Sequence, residues 1–187
     1  MSAQPAVVTS SVVPAGRWEV DPAHSALEFR VRHAGLARVR GVFRSFEGAL
    51  EVAADGTLTA HGSVATASLA TGLGARDEHL RSADFFDVER HPRLSFTSTA
   101  IAVGAGGAVT VRGDLTIRDV TRQIELSGEL LGHGRDDEGA ERMGIEVGGV
   151  LDRRDYGLTW NAAIDGGGML VGNRVDITVT ISAVRVP

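Results

Sequence analysis

The stretch VTVRGDLTIR, residues 109–118, decides the fold class because its apolar side chains fall on alternate positions. Those positions are Val109, Val111, Leu115 and Ile117. Alternation with a period of two gives a β-strand one dry face and one wet face. The same pattern recurs at residues 27–32, 124–130, 145–151 and 175–182. It predicts antiparallel strands around an apolar interior.

The number of such segments predicts a closed barrel. Residues 37–52, 57–69 and 94–103 fit the alternation more loosely, and they bring the total to about eight strands, a natural number for up-and-down closure. Residues 93–186 contain no proline that would interrupt a hydrogen-bonded ladder. The expected fold is therefore an all-β, eight-stranded antiparallel up-and-down barrel.

One segment departs from the alternation. Residues 75–90 (ARDEHLRSADFFDVER) have acidic residues near their start at Asp77 and Glu78, have no β-branched residue before Val88, and are followed by Pro92. They predict a short helix near residues 76–82, followed by a turn that presents Phe85 and Phe86. Because adjacent side chains do not easily enter one core together, one of the two is expected at an opening of the interior.

Composition narrows the function. The 187 residues have a mass of 19.6 kDa, enough for one domain with a sizeable core. Cysteine is absent, and all 19 basic residues are arginines. Disulfides, thiolate metal sites, cysteine nucleophiles and Schiff-base lysines are thereby excluded. The net charge is −5 and no basic cluster stands out, so a nucleic-acid partner is not expected.

The amino terminus differs from the rest of the chain. Residues 1–16 lack both alternation and the basic start of a secretory signal, so they are predicted to form a mobile tail before a barrel domain at 17–187. No stretch approaches the ~20 apolar residues of a membrane span. The expected compartment is the cytoplasm, without stable membrane insertion.

Several motifs together resemble one known family. They are DPAHS at 21–25, HLRSADFFD at 79–87, HP at 91–92, GDLTIRDVT at 113–121 and RDYG at 154–157. Over about residues 16–186 the chain resembles the YceI-like, polyisoprenoid-binding family.

The resemblance implies a lipocalin-like barrel with an elongated apolar cavity. Its implied ligand is a long-chain isoprenoid or similar amphiphile of polyprenyl, quinone or fatty-acyl type, bound for sequestration, storage or transport and not for catalysis. No cofactor is implied beyond such a bound lipid. Homodimers are common in such families, so a homodimer is one assembly that the resemblance allows.

The sequence supports a cavity through small residues on the inward faces. Gly113, Gly128 and Gly149 each have apolar residues two positions before and after them on the same strand face. There they either leave volume for a ligand or only let the strands bend. The glycine-rich segment at 165–170 is either a long hairpin loop or a flap with an apolar tip. The candidate ligand-binding residues are Phe29, Val31, Phe43, Phe46, Leu80, Phe85, Phe86, Phe96, Gly113, Gly128, Gly149, Trp160 and Met169.

Polar groups offer an alternative function. Asp21, His24 and Ser25 supply the residue types of a hydrolase triad, and the alternative is an enzyme with His24 or His79 as general base. A structural or stress-response protein with an incidental cavity is a third interpretation. No acid–base set is assembled within one motif, which favours the binding module, and no catalytic residue is assigned.

Other polar side chains have two interpretations each. His61, His79 and His91 match no zinc-site spacing, so no metal site is assigned. His33 is expected either in a buried hydrogen bond or against a ligand headgroup. The arginines expected either to meet an anionic headgroup or to be solvated are Arg76, Arg81, Arg153 and Arg154.

Overall fold

Residues 13–187 are described by a computed structural model, and they form a closed antiparallel β-barrel. The strands are β1 (Gly16–Val20), β2 (Ala26–His33), β3 (Ala37–Phe43), β4 (Phe46–Val52), β5 (Leu58–Ala65), β6 (Leu69–Ala70), β7 (Arg93–Val103), β8 (Ala108–Ile117), β9 (Val120–Arg135), β10 (Glu141–Asp152) and β11 (Val171–Val186). The α-helix of the described chain is α1 (Gly74–Arg81). Short 3₁₀ turns lie at Pro22–His24, Thr66–Ser68, Ala105–Gly107 and Arg153–Tyr156.

The eight-stranded prediction is confirmed, because several short strands are parts of longer ones. The 3₁₀ turn at Pro22–His24 divides one barrel strand into β1 and β2, and residues 44–45 divide the next into β3 and β4. The two-residue β6 follows β5 after the 3₁₀ turn at Thr66–Ser68 and pairs with the end of β3, so it continues the barrel strand of β5. Within the described residues this leaves eight barrel strands, each antiparallel to the next.

The last strand closes the barrel. β11 pairs with β10 on one side. On its other side it pairs with β2 through Val171–Thr180 and with β1 through Ala183–Val186. Closure gives each barrel strand of residues 13–187 a neighbour on both sides, which limits the free edges that would otherwise attract another strand.

The two ends of the barrel are filled differently. At the end formed by β1, a core packs around Trp18, which is fully buried and donates from Nε1 to the Pro14 carbonyl at 3.2 Å. The opposite end holds the β2–β3 and β8–β9 turns and the long connection between β10 and β11. Helix α1 and the turns that follow it, at residues 82–92, also lie beside the cavity described below.

Three boundaries differ from the sequence predictions. The helix begins two residues earlier than predicted and ends at Arg81. The single segment predicted over residues 37–52 is interrupted at residues 44–45, where the Arg44 amide donates to the Ser68 carbonyl. The predicted tail is too long, since Val13 is 7% exposed within the core and Gly16 belongs to β1. Residues 1–12 of that tail lie outside the described residues.

Candidate ligand-binding cavity

The barrel encloses an apolar space in two chambers. The larger cavity has a volume of about 590 Å³ and lies against α1. The smaller one, of about 220 Å³, lies towards Trp18. Both cavities are lined by the inward side chains Leu27, Leu94, Leu115, Ile177 and Val179. These five residues, the waist, are where the two chambers meet.

Aromatic rings form two walls of the larger cavity. Phe43 contacts Phe29 at a centroid distance of 5.7 Å and Phe86 at 5.9 Å. On the other wall, the centroid of the Trp160 ring lies 4.5 Å from that of the His79 ring and 5.4 Å from that of the Phe85 ring. Tilted and edge-on contacts of this kind hold rings in place without filling the space between the walls.

Most predicted site residues do line this interior. The larger cavity is lined by Phe29, Val31, Phe43, Leu80, Phe85, Phe86 and Trp160. Phe46 and Phe96 line the smaller cavity. Met169 is 59% exposed and lines neither, although Leu170 next to it lines the larger one.

Phe85 and Phe86 both line the larger cavity, contrary to the expectation that adjacent side chains do not easily enter one interior together. The chain there is a series of tight turns, in which the Phe86 amide donates to Leu80 and the Asp87 amide to Ser82. Asp87 adopts a φ of +48°. Because this backbone is not extended, neighbouring side chains are not forced onto opposite faces.

The three inward glycines leave no open volume at their own positions, which corrects the sequence prediction. A Cβ on Gly113 would lie 2.4 Å from the Phe96 ring, and one on Gly149 would lie 2.7 Å from Leu126. A Cβ on Gly128 would lie 1.9 Å from the Glu146 carbonyl oxygen. None of the three lines either cavity of residues 13–187. Close packing of a neighbour is therefore what these positions require.

Gly41 shows how such packing maintains the lumen. It is the cross-strand partner of Phe29, and a Cβ at this position would lie 2.1 Å from the end of the Phe29 ring. Without a side chain on Gly41, the ring occupies that space beside the barrel wall instead of extending further into the lumen. Phe96 makes the same use of Gly113.

Arg153 is the buried charge of the larger cavity. The residue is 5% exposed, and its guanidinium donates to the carbonyl oxygens of Gly172 at 2.9 Å and Trp160 at 2.9 Å. It also donates to Leu158. Burial lowers the pKa of Arg153 from its ordinary value. The side chain therefore anchors the β10–β11 connection from inside.

Tyr156 places a hydroxyl in the same apolar surroundings. The residue is 2% exposed and lines the larger cavity. Its hydroxyl is buried and has no hydrogen-bond partner among residues 13–187. Burial raises the pKa of Tyr156 to about 12.

A polar clamp holds α1 over the cavity. The buried Asp77 accepts hydrogen bonds from the Thr71 amide at 2.8 Å and the Thr71 hydroxyl at 2.5 Å. Arg76 donates to Thr71, and Arg81 donates to the carbonyls of Ala67 and Leu69. These bonds fix the helix face that carries the cavity-lining residues Ala75, Arg76, His79 and Leu80.

The candidate triad is not assembled. His24 Nδ1 lies 2.8 Å from Asp21 Oδ2, but the His24 side chain is 67% exposed. The Ser25 hydroxyl instead donates to the Ser182 carbonyl on β11. Hydrogen bonds from Arg142, and then from His24, lower the pKa of Asp21 to about 2. Asp21 and His24 therefore stabilise the turn between β1 and β2, and Ser25 links the start of β2 to β11.

The remaining histidines and arginines divide between cavity and surface. His33, Arg76 and His79 line the larger cavity, and His79 Nε2 lies 2.8 Å from Asp84 Oδ2. Arg154 is held outside by Asp152. Within residues 13–187, no three His, Asp or Glu side chains converge as metal ligands. That part of the chain also contains no helix long and apolar enough to cross a bilayer.

Sequence reasoning missed a set of aliphatic lining residues. They are Leu27, Val39, Leu94, Leu115, Ile117, Leu151, Leu158, Leu170, Val171, Val175 and Ile177. The strand members among them share the inward parity of the alternating segments, so consistent use of that parity would have found them. Leu158 and Leu170 carry no such signal, because they belong to an irregular connection.

Comparisons with known proteins agree with this architecture. A UPF0312 protein of Staphylococcus aureus strain MSSA476 is 32% identical over 158 residues, which cover 83% of this chain and 90% of the relative. The crystal structure of BcnA from Burkholderia cenocepacia matches with a TM-score of 0.75 at 19% identity, covering 87% of this chain and 98% of BcnA.

A third similar structure is described as a binding domain. A polyisoprenoid-binding domain from Saccharophagus degradans, implicated in plant cell wall breakdown, has a TM-score of 0.68 at 16% identity and covers 92% of this chain and 100% of that domain. The family model described as "YceI-like domain" matches residues 18–183. The chain belongs to the YceI-like domain family.

Proposed function

We propose that this protein binds a long-chain isoprenoid or similar amphiphilic lipid inside the barrel, for sequestration, storage or transport. The observation that supports it most is the 590 Å³ cavity, whose lining consists largely of aliphatic and aromatic side chains. The polyisoprenoid-binding description of the Saccharophagus domain supports the ligand class. An elongated apolar chain would match two apolar chambers that share the lining residues of the waist.

The energetics of burial favour such a ligand. Each buried methylene contributes about 0.8 kcal/mol, so roughly 20 enclosed carbons contribute about 15 kcal/mol before costs. Association and chain ordering cost about 4–15 kcal/mol. Useful affinity therefore does not depend on a strong polar headgroup site, and selectivity among long chains is expected to be low.

Lipid extracted from the purified protein and identified by mass spectrometry tests this proposal. We expect a reproducible prenyl, quinone or fatty-acyl species in the wild type. Val31→Trp fills the larger cavity from an inward position and should abolish co-purification of that species. Thr110→Trp is the matched control, because Thr110 lies on β8 and lines neither cavity. Equal lipid content in both variants would refute binding in this cavity.

The enzyme alternative keeps one supporting observation. His79 lines the larger cavity and contacts Asp84, the arrangement in which a carboxylate orients a histidine base. Conversion of the extracted lipid by the wild type but not by His79→Ala would favour catalysis. We expect instead that both proteins leave the lipid chemically unchanged.

A further inference from the structure

The β2–β3 hairpin gathers positive charge that the linear sequence does not make obvious. Its two strands place Arg30 opposite Arg40 and Arg32 opposite Arg38. All four arginines are exposed, and residues 30–40 (RVRHAGLARVR) contain no acidic residue in a chain of net charge −5. Like charges directly opposite each other destabilise a strand pair. This corrects the expectation that no basic cluster is present.

Few acids neutralise this cluster. Glu28 pairs with Arg40, and Asp176 on the neighbouring strand pairs with Arg174. Arg30, Arg32 and Arg38 make no ion pair with any residue from 13 to 187. Arg30 lies opposite Asp176 across the β2–β11 pair, so the charges of Arg32 and Arg38 are the ones most available to an anionic partner.

The tip of the same hairpin is apolar and held in place. Leu36 is 94% exposed, the largest exposure among the bulky apolar residues of the described chain. The turn before it has Ala34 at a φ of +51° and Gly35 at +70°. The Ala34 amide also donates to the Leu170 carbonyl at 2.7 Å, which ties the tip to the β10–β11 connection.

Two further apolar side chains are exposed at this end of the barrel. Leu73, just before α1, is 54% exposed and lines the larger cavity. Met169, beside the cavity-lining Leu170, is 59% exposed. We call Leu36, Leu73 and Met169, with Arg30, Arg32, Arg38 and Arg40, the rim surface. Exposed apolar side chains flanked by arginines are typical of a protein surface that binds a partner with anionic groups at its surface and an apolar layer below them.

We propose that the rim surface docks reversibly on an anionic phospholipid bilayer, with Leu36 inserted and the arginines at the headgroups. This orientation turns the larger cavity towards the bilayer, so a lipid could pass between them with little exposure to water. The purpose of docking rests on the proposed function, but docking itself is measured without any cavity ligand. An acidic soluble partner would use the arginines and would have no need of the leucine.

Vesicle flotation separates these cases. The wild type should bind vesicles of phosphatidylcholine with phosphatidylglycerol, should not bind phosphatidylcholine alone, and should be released as salt is raised. Arg32→Gln/Arg38→Gln should weaken binding on the order of ten- to thirty-fold, since each arginine near an anionic surface contributes about five-fold. Leu36→Asn should weaken vesicle binding but leave retention on heparin, a soluble polyanion, unchanged.

Matched controls lie elsewhere on the barrel. Leu131 is 58% exposed near the β9–β10 hairpin at the opposite end, and Arg112 and Arg135 are exposed and ion-paired. Leu131→Asn and Arg112→Gln/Arg135→Gln should bind vesicles like the wild type. If Leu36→Asn binds vesicles as well as the wild type, or the controls lose binding equally, the proposal is overturned. Val31→Trp should lose lipid yet still float, which separates docking from cavity binding.

Discussion

Glycines on the inward faces of this barrel act through the side chains next to them. Phe29 over Gly41 and Phe96 over Gly113 show large rings placed where a neighbouring strand has no Cβ. Without this packing, the Phe and Leu side chains that line the lumen would fill it, as side chains do in most small barrels. A glycine on one strand therefore keeps the cavity open by giving a ring on the neighbouring strand room against the barrel wall.

This predicts a specific effect of Gly41→Ala. The added Cβ would overlap the Phe29 ring, and the ring must move towards the lumen. We expect a loss of about 1–3 kcal/mol in the free energy of unfolding, as for other overpacked sites, together with a reduced content of co-purifying lipid. Denaturant unfolding and lipid quantification measure the two effects.

Gly62→Ala is the control for that substitution. Gly62 lines the smaller cavity, and the nearest atom to a Cβ there, the Glu47 carbonyl oxygen, is 3.4 Å away. Stability should remain unchanged or rise slightly, because alanine restricts the unfolded chain. Equal behaviour of the two variants would show that the Phe29 contact does not control the lumen.

At the scale of elements, α1 depends on side-chain anchoring more than on its own helical propensity. It has eight residues, and no side chain caps its amino terminus. Helices of this length are marginal alone. The bonds from Thr71 to Asp77, and from Arg81 to the chain before the helix, hold it over the cavity.

Asp77→Ala should therefore loosen the cover of the cavity without disrupting the barrel. Removing the acceptor leaves the Thr71 amide and the Thr71 hydroxyl proton without an acceptor, which costs about 1–3 kcal/mol. We expect faster amide hydrogen exchange in residues 71–81 and faster lipid exchange from the protein. Glu78→Ala, an exposed neighbour on the same helix, should change neither rate. Unaltered exchange in Asp77→Ala would show that the clamp is dispensable.

For the molecule as a whole, the composition means that the change in stability at alkaline pH depends on one residue. The chain has no lysine or cysteine and a single tyrosine, Tyr156. Between pH 10 and pH 12 no other side-chain type present titrates at its ordinary pKa. Burial raises the pKa of Tyr156 to about 12, so the folded chain keeps a proton that the unfolded chain loses.

The stability contributed by neutral Tyr156 is thus complete below about pH 10 and is lost as the pH rises towards 12. We expect the melting temperature to fall across this interval in the wild type and to stay level in Tyr156→Phe. Tyrosinate absorbance should give a midpoint well above pH 10 in the folded protein. A midpoint at the ordinary value would mean that the hydroxyl reaches solvent.

Local pattern alone determined a large part of this structure. Alternation at 109–118 and 175–182 predicted strands with one inward face, and acidic residues before HLRSADFFD predicted the helix to within two residues at its start. Both signals arise between residues that are close in the chain. Inward parity likewise placed Phe29 and Val31 at the cavity.

Only the tertiary structure decided which side chains meet across strands. Strand register sets Phe29 on Gly41, Arg32 beside Arg38, and Leu126 where a Gly149 side chain would lie. Burial of Val13 and the isolation of the Tyr156 hydroxyl also depend on barrel closure. A period of two specifies the face of a residue but not its neighbour on the next strand, because register depends on contacts between distant parts of the chain.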